Sequence, residues 1–130
     1  MENKKIILIT EDEKSIRSAL HSKLITEGFD VLEAKNGEEG LEISLNEHPD
    51  LILLDLMMPK MDGMSMLKKL REDIWGKNVP VIILTNLSSA DEERNREITK
   101  LEPTYYFVKT DKKMEEIVDK IKDRLGMSVS

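Results

Sequence analysis

Residues 51–63 read LILLDLMMPKMDG, an apolar run that ends in an aspartate and then breaks at a proline and a turn. Leu51, Ile52, Leu53 and Leu54 are too few for a buried helix of ordinary length. A short run that is apolar at every position fits a strand covered on both faces. Asp55 then stands at the carboxyl end of that strand. In open parallel sheets ligands bind outside that edge, which makes Asp55 a candidate for chemistry; the plainer alternative is an aspartate that caps a loop.

Three other runs deliver polar residues in the same way. Lys4 to Ile9 (KKIILI) breaks into Thr10, Glu11, Asp12 and Glu13; Val79 to Leu84 (VPVIIL) ends in Thr85; Tyr105 to Val108 (YYFV) ends in Lys109. Val31 and Leu32 mark a short second strand. Helical spacing fills the intervals: Ile16, Ala19, Leu20 and Leu24 precede Gly28, placed like a C′ glycine. Asn36 and Gly37 predict a turn, followed by Leu41, Ser44, Leu45 and His48 up to Pro49. Met64, Leu67, Leu70 and Ile74 predict a third helix, and Ser88 or Ser89 with Asp91 or Glu92 reads as the capping box of a fourth, reaching about Leu101. Met114, Ile117, Val118, Ile121 and Leu125 predict a last helix, stopped at Gly126. Five β-α units in this order imply right-handed crossovers, a parallel sheet and helices on both faces. The expected fold is α/β, a flavodoxin-like (βα)5 doubly wound sandwich whose five-stranded sheet has the order 2-1-3-4-5.

At 130 residues the chain is expected to be one domain, 1–130, with its core at about 4–125 and no output domain. A net charge of −6 argues against a nucleic-acid surface, because neutralising phosphates needs a basic face. No apolar stretch approaches the ~20 residues that span a bilayer, and Lys4 and Lys5 are followed by too short an apolar run for a secretory leader, so a cytoplasmic protein without membrane insertion is expected. The absence of cysteine excludes disulfides and thiolate chemistry. His21 and His48 have no second ligand at metal spacing and read as surface or edge residues. The methionines crowded at 57, 58, 61, 64 and 66 read mainly as loop and core residues, Met64 on the buried stripe.

An acidic pair after the first strand, Asp after the third, Thr after the fourth and Lys after the fifth resemble the receiver domain of bacterial two-component response regulators, over nearly the whole chain. The resemblance implies that Asp55 is the phosphoacceptor, that Thr85 donates its hydroxyl to a phosphoryl oxygen, and that Lys109 pairs with Asp55 and then with the phosphoryl group. It makes Tyr106 the switch aromatic. It also implies Mg2+, or Mn2+, held directly by Asp12 and Asp55, through water by Glu11, and by the main-chain carbonyl of Met57. The chemistry agrees, since Glu11, Asp12 and Asp55 side by side would repel one another without a cation among them, and oxygen-only ligands suit these metals.

The implied partners are a histidine kinase or phosphotransfer protein as donor and a separate downstream protein, with the receiver a monomer or a phosphorylation-dependent dimer. The implied role is that of a signalling phosphoacceptor and not an enzyme. Two other classes compete. A magnesium-dependent phosphatase or phosphotransferase with an Asp nucleophile usually carries a second Asp two residues on, where this chain has Met57; a pseudo-receiver that only binds proteins would lack the acidic pair or Lys109. Three positions depart from the family pattern: Thr110 follows Lys109 where Pro is usual, Asn86 follows Thr85 where a small residue is usual, and Glu102 and Pro103 precede the fifth strand in place of a Gly. Met57 and Leu87, two residues past Asp55 and Thr85, offer no group to orient a hydrolytic water, and a long-lived phosphoryl state is expected.

Overall fold

The computed structural model describes residues 4–56, 58, 60–85, 96, 100–101, 105–108 and 114–127, with Thr85 and 105–108 described by their backbone. Among the described residues five strands and four helices are bounded: β1 (Ile6–Thr10), α1 (Lys14–Thr26), β2 (Asp30–Ala34), α2 (Gly37–Glu47), β3 (Leu51–Asp55), α3 (Gly63–Glu72), β4 (Val81–Thr85), β5 (Tyr105–Val108) and α4 (Met114–Arg124). The strands pair in parallel in the order β2-β1-β3-β4-β5, as the sequence predicts. The predicted helix over 88–101 lies outside the described residues, apart from Arg96 and Lys100, which are helical, and Leu101 in a turn.

Side chains alternate across the strands and divide the core in two. Ile7, Ile9, Leu51, Leu53, Ile82 and Leu84 face one cluster with Leu20 and Leu24 of α1 and Ile117, Val118 and Ile121 of α4. Leu8, Ile52, Leu54, Val81 and Ile83 face the other, with Met66, Leu67 and Leu70 of α3. β3 is buried at all five positions, the signature of a central strand covered on both faces.

Several local expectations are corrected. β1 takes in Thr10, and β4 starts at Val81 because Pro80 has no N–H for the ladder and offers only its carbonyl, to Ile52 N at 3.0 Å. The turn expected at Asn36 and Gly37 is the opening of the helix itself: Asn36 is the N-cap of α2, its side chain accepting from Glu39 N at 2.8 Å, and Gly37 is already helical. That helix buries Gly37, Gly40 and Ser44, while Leu45 is exposed. The small face serves close approach: a Cβ on Gly40 would stand 2.8 Å from Thr10 Cγ2. α3 ends at Glu72, and its cap residue Asp73 turns extended, so Ile74 leaves the apolar stripe and is 89% exposed. Met66 fills the buried position expected of Met64, which packs half-buried at the edge of the same cluster.

Gly28, at φ +95°, and Gly126, at φ +70°, close α1 and α4 in the left-handed conformation that the C′ reading requires. Arg71 ties the far end of α3 to the start of β4, donating to the carbonyls of Gly76, Val79 and Leu101 at 2.7, 2.9 and 3.0 Å. No described helix is long and apolar enough to cross a membrane.

Candidate functional site

The register of the sheet decides which residues meet. β1 and β3 pair Thr10 with Leu54, so Glu11 and Asp55 are the next residues out on adjacent strands. β3 and β4 pair Asp55 with Leu84, and β4 and β5 pair Thr85 with Val108. Thr85 therefore stands one step beyond Asp55's partner at the same carboxyl edge, and Lys109 follows Val108 in the chain. The side chains of Thr85 and Tyr106, and all of Met57, Lys109, Thr110, Asn86 and Leu87, lie outside the described residues.

Glu11, Asp12 and Asp55 come together, each offering a carboxylate oxygen within 4.8 Å of the others. Glu11 is 2% exposed and Asp55 4%, while Asp12 is exposed at the rim. Two buried acids and one exposed acid at this spacing concentrate negative charge where little water can screen it. The donor set is all oxygen and includes no imidazole among the described residues, which fits a hard divalent cation such as Mg2+ or Mn2+.

The backbone around these acids is fixed by close packing. Glu11 N donates to Ala34 O of β2 at 3.0 Å, and Gly63 N donates to Leu56 O at 3.0 Å, just past Asp55. A Cβ on Gly63 would lie 2.7 Å from Leu56 Cα and closer still to the Asp55 carbonyl oxygen, so α3 starts hard against the backbone that carries Asp55. Asp62 caps that helix, accepting from Ser65 N at 2.9 Å. Gly37 plays the matching part on α2, its N–H bonded to Met61 O at 2.9 Å, which pins the loop after β3.

One site neighbour was not anticipated from the sequence. Arg17, on the first turn of α1, donates from Nη1 to the carbonyls of Glu11 at 2.8 Å and Asp12 at 3.3 Å, and from Nε to Glu33 Oε1 at 3.0 Å. The signal available was its spacing, one helical turn beyond the acidic loop. His21 is half-buried with Nδ1 2.9 Å from Glu33 Oε2, an edge position as expected. His48 is exposed as the left-handed C-cap of α2 and stacks on Trp75, ring centroids 4.3 Å apart.

The parallel doubly wound sheet thus carries an acidic triad at its switch-point edge. Residues 7–122 match the model of the response regulator receiver domain family. The chain belongs to this family. It is 46% identical over 89 residues to a probable transcriptional regulator, ycf27, of Porphyridium aerugineum, covering 68% of this chain and 36% of that one. It is 43% identical over 89 residues to the transcriptional regulatory protein DltR of Streptococcus agalactiae, covering 68% of this chain and 39% of that one. The aligned stretch thus spans little more than a third of either relative. Among solved structures, a CheY-like response regulator receiver domain protein from Methanospirillum hungatei superimposes with a TM-score of 0.86 at 27% identity, covering 95% of each chain. The receiver domain of Francisella response regulator 1452 gives 0.81 at 30% identity, covering 92% of this chain and 94% of that one.

Proposed function

We propose that this receiver domain accepts a phosphoryl group on Asp55 from a phosphohistidine donor, with a divalent cation bound, and signals through the change of charge. The observation that carries the reading is the convergence of Glu11, Asp12 and Asp55 at the carboxyl edge, with Asp55 buried at the end of the central strand. An oxygen of the Asp55 carboxylate attacks phosphorus in line with the donor's N–P bond. An O–P bond forms, the N–P bond breaks, and its electron pair returns to the donor imidazole. Such transfers depend on positioning and charge stabilisation more than on further covalent chemistry.

Asp12 and Asp55, with the Met57 carbonyl, would hold Mg2+ directly and Glu11 would act through water; when bound, the ion neutralises the phosphoryl oxygens. Lys109 supplies a fixed positive charge to the acceptor and then to the phosphoryl group, and Thr85 supplies a hydroxyl donor. Rotation of Thr85 toward the phosphoryl oxygen would vacate space for the Tyr106 ring, a two-state element biased by local charge.

The donor is a histidine kinase or phosphotransfer protein. The relatives' names as transcriptional regulators favour a transcriptional output, with any DNA contact made by another segment or protein, since this chain carries a net charge of −6. The test is incubation with Mg2+ and acetyl phosphate followed by a phosphate-retarding gel. A retarded band that disappears in Asp55→Ala supports the proposal, and a band that survives the substitution refutes it.

A further inference from the structure

The Glu11–Asp12 segment is gripped from two sides. On one, Glu11 N is bonded to Ala34 O of β2. On the other, the Arg17 guanidinium reaches both loop carbonyls through Nη1 and is itself held through Nε by Glu33, the residue next to Ala34 on β2. His21 Nδ1, one turn further along α1, lies 2.9 Å from the other Glu33 oxygen without making a hydrogen bond to it. The loop that offers two of the three carboxylates is thus closed into a ring of hydrogen bonds running from β2 through Glu33 and Arg17 back to the loop.

We infer that Arg17 is a positioning residue of the cation site, fixing the Glu11–Asp12 backbone so that both carboxylates face Asp55. The inference rests on the metal-binding reading of the acidic triad given above. One arm of the Arg17 fork, Nη1, bonds both carbonyls while Nε holds Glu33; the side chain is only 17% exposed, and of these charge-assisted bonds the shortest, to the Glu11 carbonyl at 2.8 Å, is part-buried while the other two lie at the surface. Its charge works in the opposite sense: a cation near an acidic triad opposes the entry of a second cation. The two effects therefore predict opposite consequences of substitution. If Arg17 acts only as a nearby charge, removing it tightens divalent-cation binding. If it positions the loop, removing it weakens binding, by the ~10-fold or more that follows loss of an outer-shell partner of a metal site.

The experiment is Mn2+ titration of the full chain by electron paramagnetic resonance of the free ion, with wild type, Arg17→Gln, Arg17→Lys and Asp12→Asn, each checked for folding by thermal melting. Arg17→Gln should weaken Mn2+ binding about 10-fold. Arg17→Lys keeps the charge and the aliphatic stem but not the fork, so it serves if the glutamine variant fails to fold, and it should also bind more weakly than wild type. Wild-type or tighter binding by either folded Arg17 variant, alongside loss of binding in Asp12→Asn, overturns the positioning role. Wild-type binding by Asp12→Asn overturns the metal-site reading beneath it.

Discussion

Substituting Gly63 by Ala tests whether α3 sets the position of Asp55. In an open helix the change would stabilise, since Ala is favoured over Gly by up to ~1 kcal/mol. Here the new Cβ would stand 2.7 Å from Leu56 Cα and 3.0 Å from the Asp55 carbonyl carbon, well inside the 3.5–4.0 Å at which carbon atoms pack comfortably. The three nearest atoms it meets are all backbone, so the closest contacts cannot be relieved by rotating a side chain. Overpacking costs about 1–3 kcal/mol, and a clash with backbone belongs at the upper end, which leaves a net loss of about 1–2 kcal/mol after the gain in propensity. At about 4 °C per kcal/mol for a domain of this size, the melting midpoint should fall by roughly 4–8 °C.

Relief can come only by moving the start of α3 or the Asp55–Leu56 segment, and the Gly63 N to Leu56 O bond at 3.0 Å would be strained with it. Phosphorylation by acetyl phosphate should therefore slow as well. Gly28→Ala is the control: nothing lies within 4 Å of its Cβ, but φ is +95°, so it should cost about 1 kcal/mol through backbone strain alone and leave the phosphorylation rate unchanged. A Gly63→Ala protein as stable as wild type, or destabilised with an unchanged rate, would refute the claim that this contact positions Asp55.

Three further outcomes are expected. The Lys122 hydrogen bond first, then that of Lys23, holds the Glu27 carboxyl below its ordinary value of 4.5. A depressed folded value means that the stability it adds is present above pH 4.5 and lost as pH falls through the lower folded value, so Glu27→Gln should flatten the acid limb of the stability–pH curve, modestly and less so in high salt; an unchanged limb at low salt would contradict the pairing. Met57→Asn combined with Leu87→Glu should speed loss of the phosphoryl group by giving water a polar guide, and a decay rate that is unchanged or slower would contradict the expected slow hydrolysis. Phosphorylation, or beryllofluoride in its place, should move amide resonances from Ser88 to Tyr106, and shifts confined to 57–63 would show that the Thr85–Tyr106 switch does not operate.

The sheet was legible because its strands are short, apolar and followed at once by polar residues. An unbroken LILL, too short for a buried helix, fits a central strand covered on both faces, and the crossover rule then orders the rest. The meeting of Glu11, Asp12 and Asp55 was legible for the same reason, since register brings the ends of adjacent strands level. What hydrophobic spacing could not convey is close packing by small residues. On the inner face of α2, Gly37 and Gly40 carry no apolar signal; of the expected stripe Ser44 is buried and Leu41 packs at the edge of the core, while Leu45 faces out. Ile74 misled in the opposite direction, continuing a helical period after Asp73 had already turned the chain extended. Arg17 was opaque because its partners at the acidic loop are carbonyl oxygens, which every residue has, and only the path of that loop selects Glu11 and Asp12 among them.

The most direct measurement is of which residue carries the phosphoryl group. Borohydride reduces an aspartyl phosphate to homoserine, so after incubation with Mg2+ and acetyl phosphate, reduction and peptide mapping should find that product at position 55 and nowhere else, and should find none when EDTA removes the metal. Homoserine at position 12 or at any other site, or label at position 55 that is indifferent to EDTA, would contradict the account of Asp55 as the acceptor in a cation-dependent receiver.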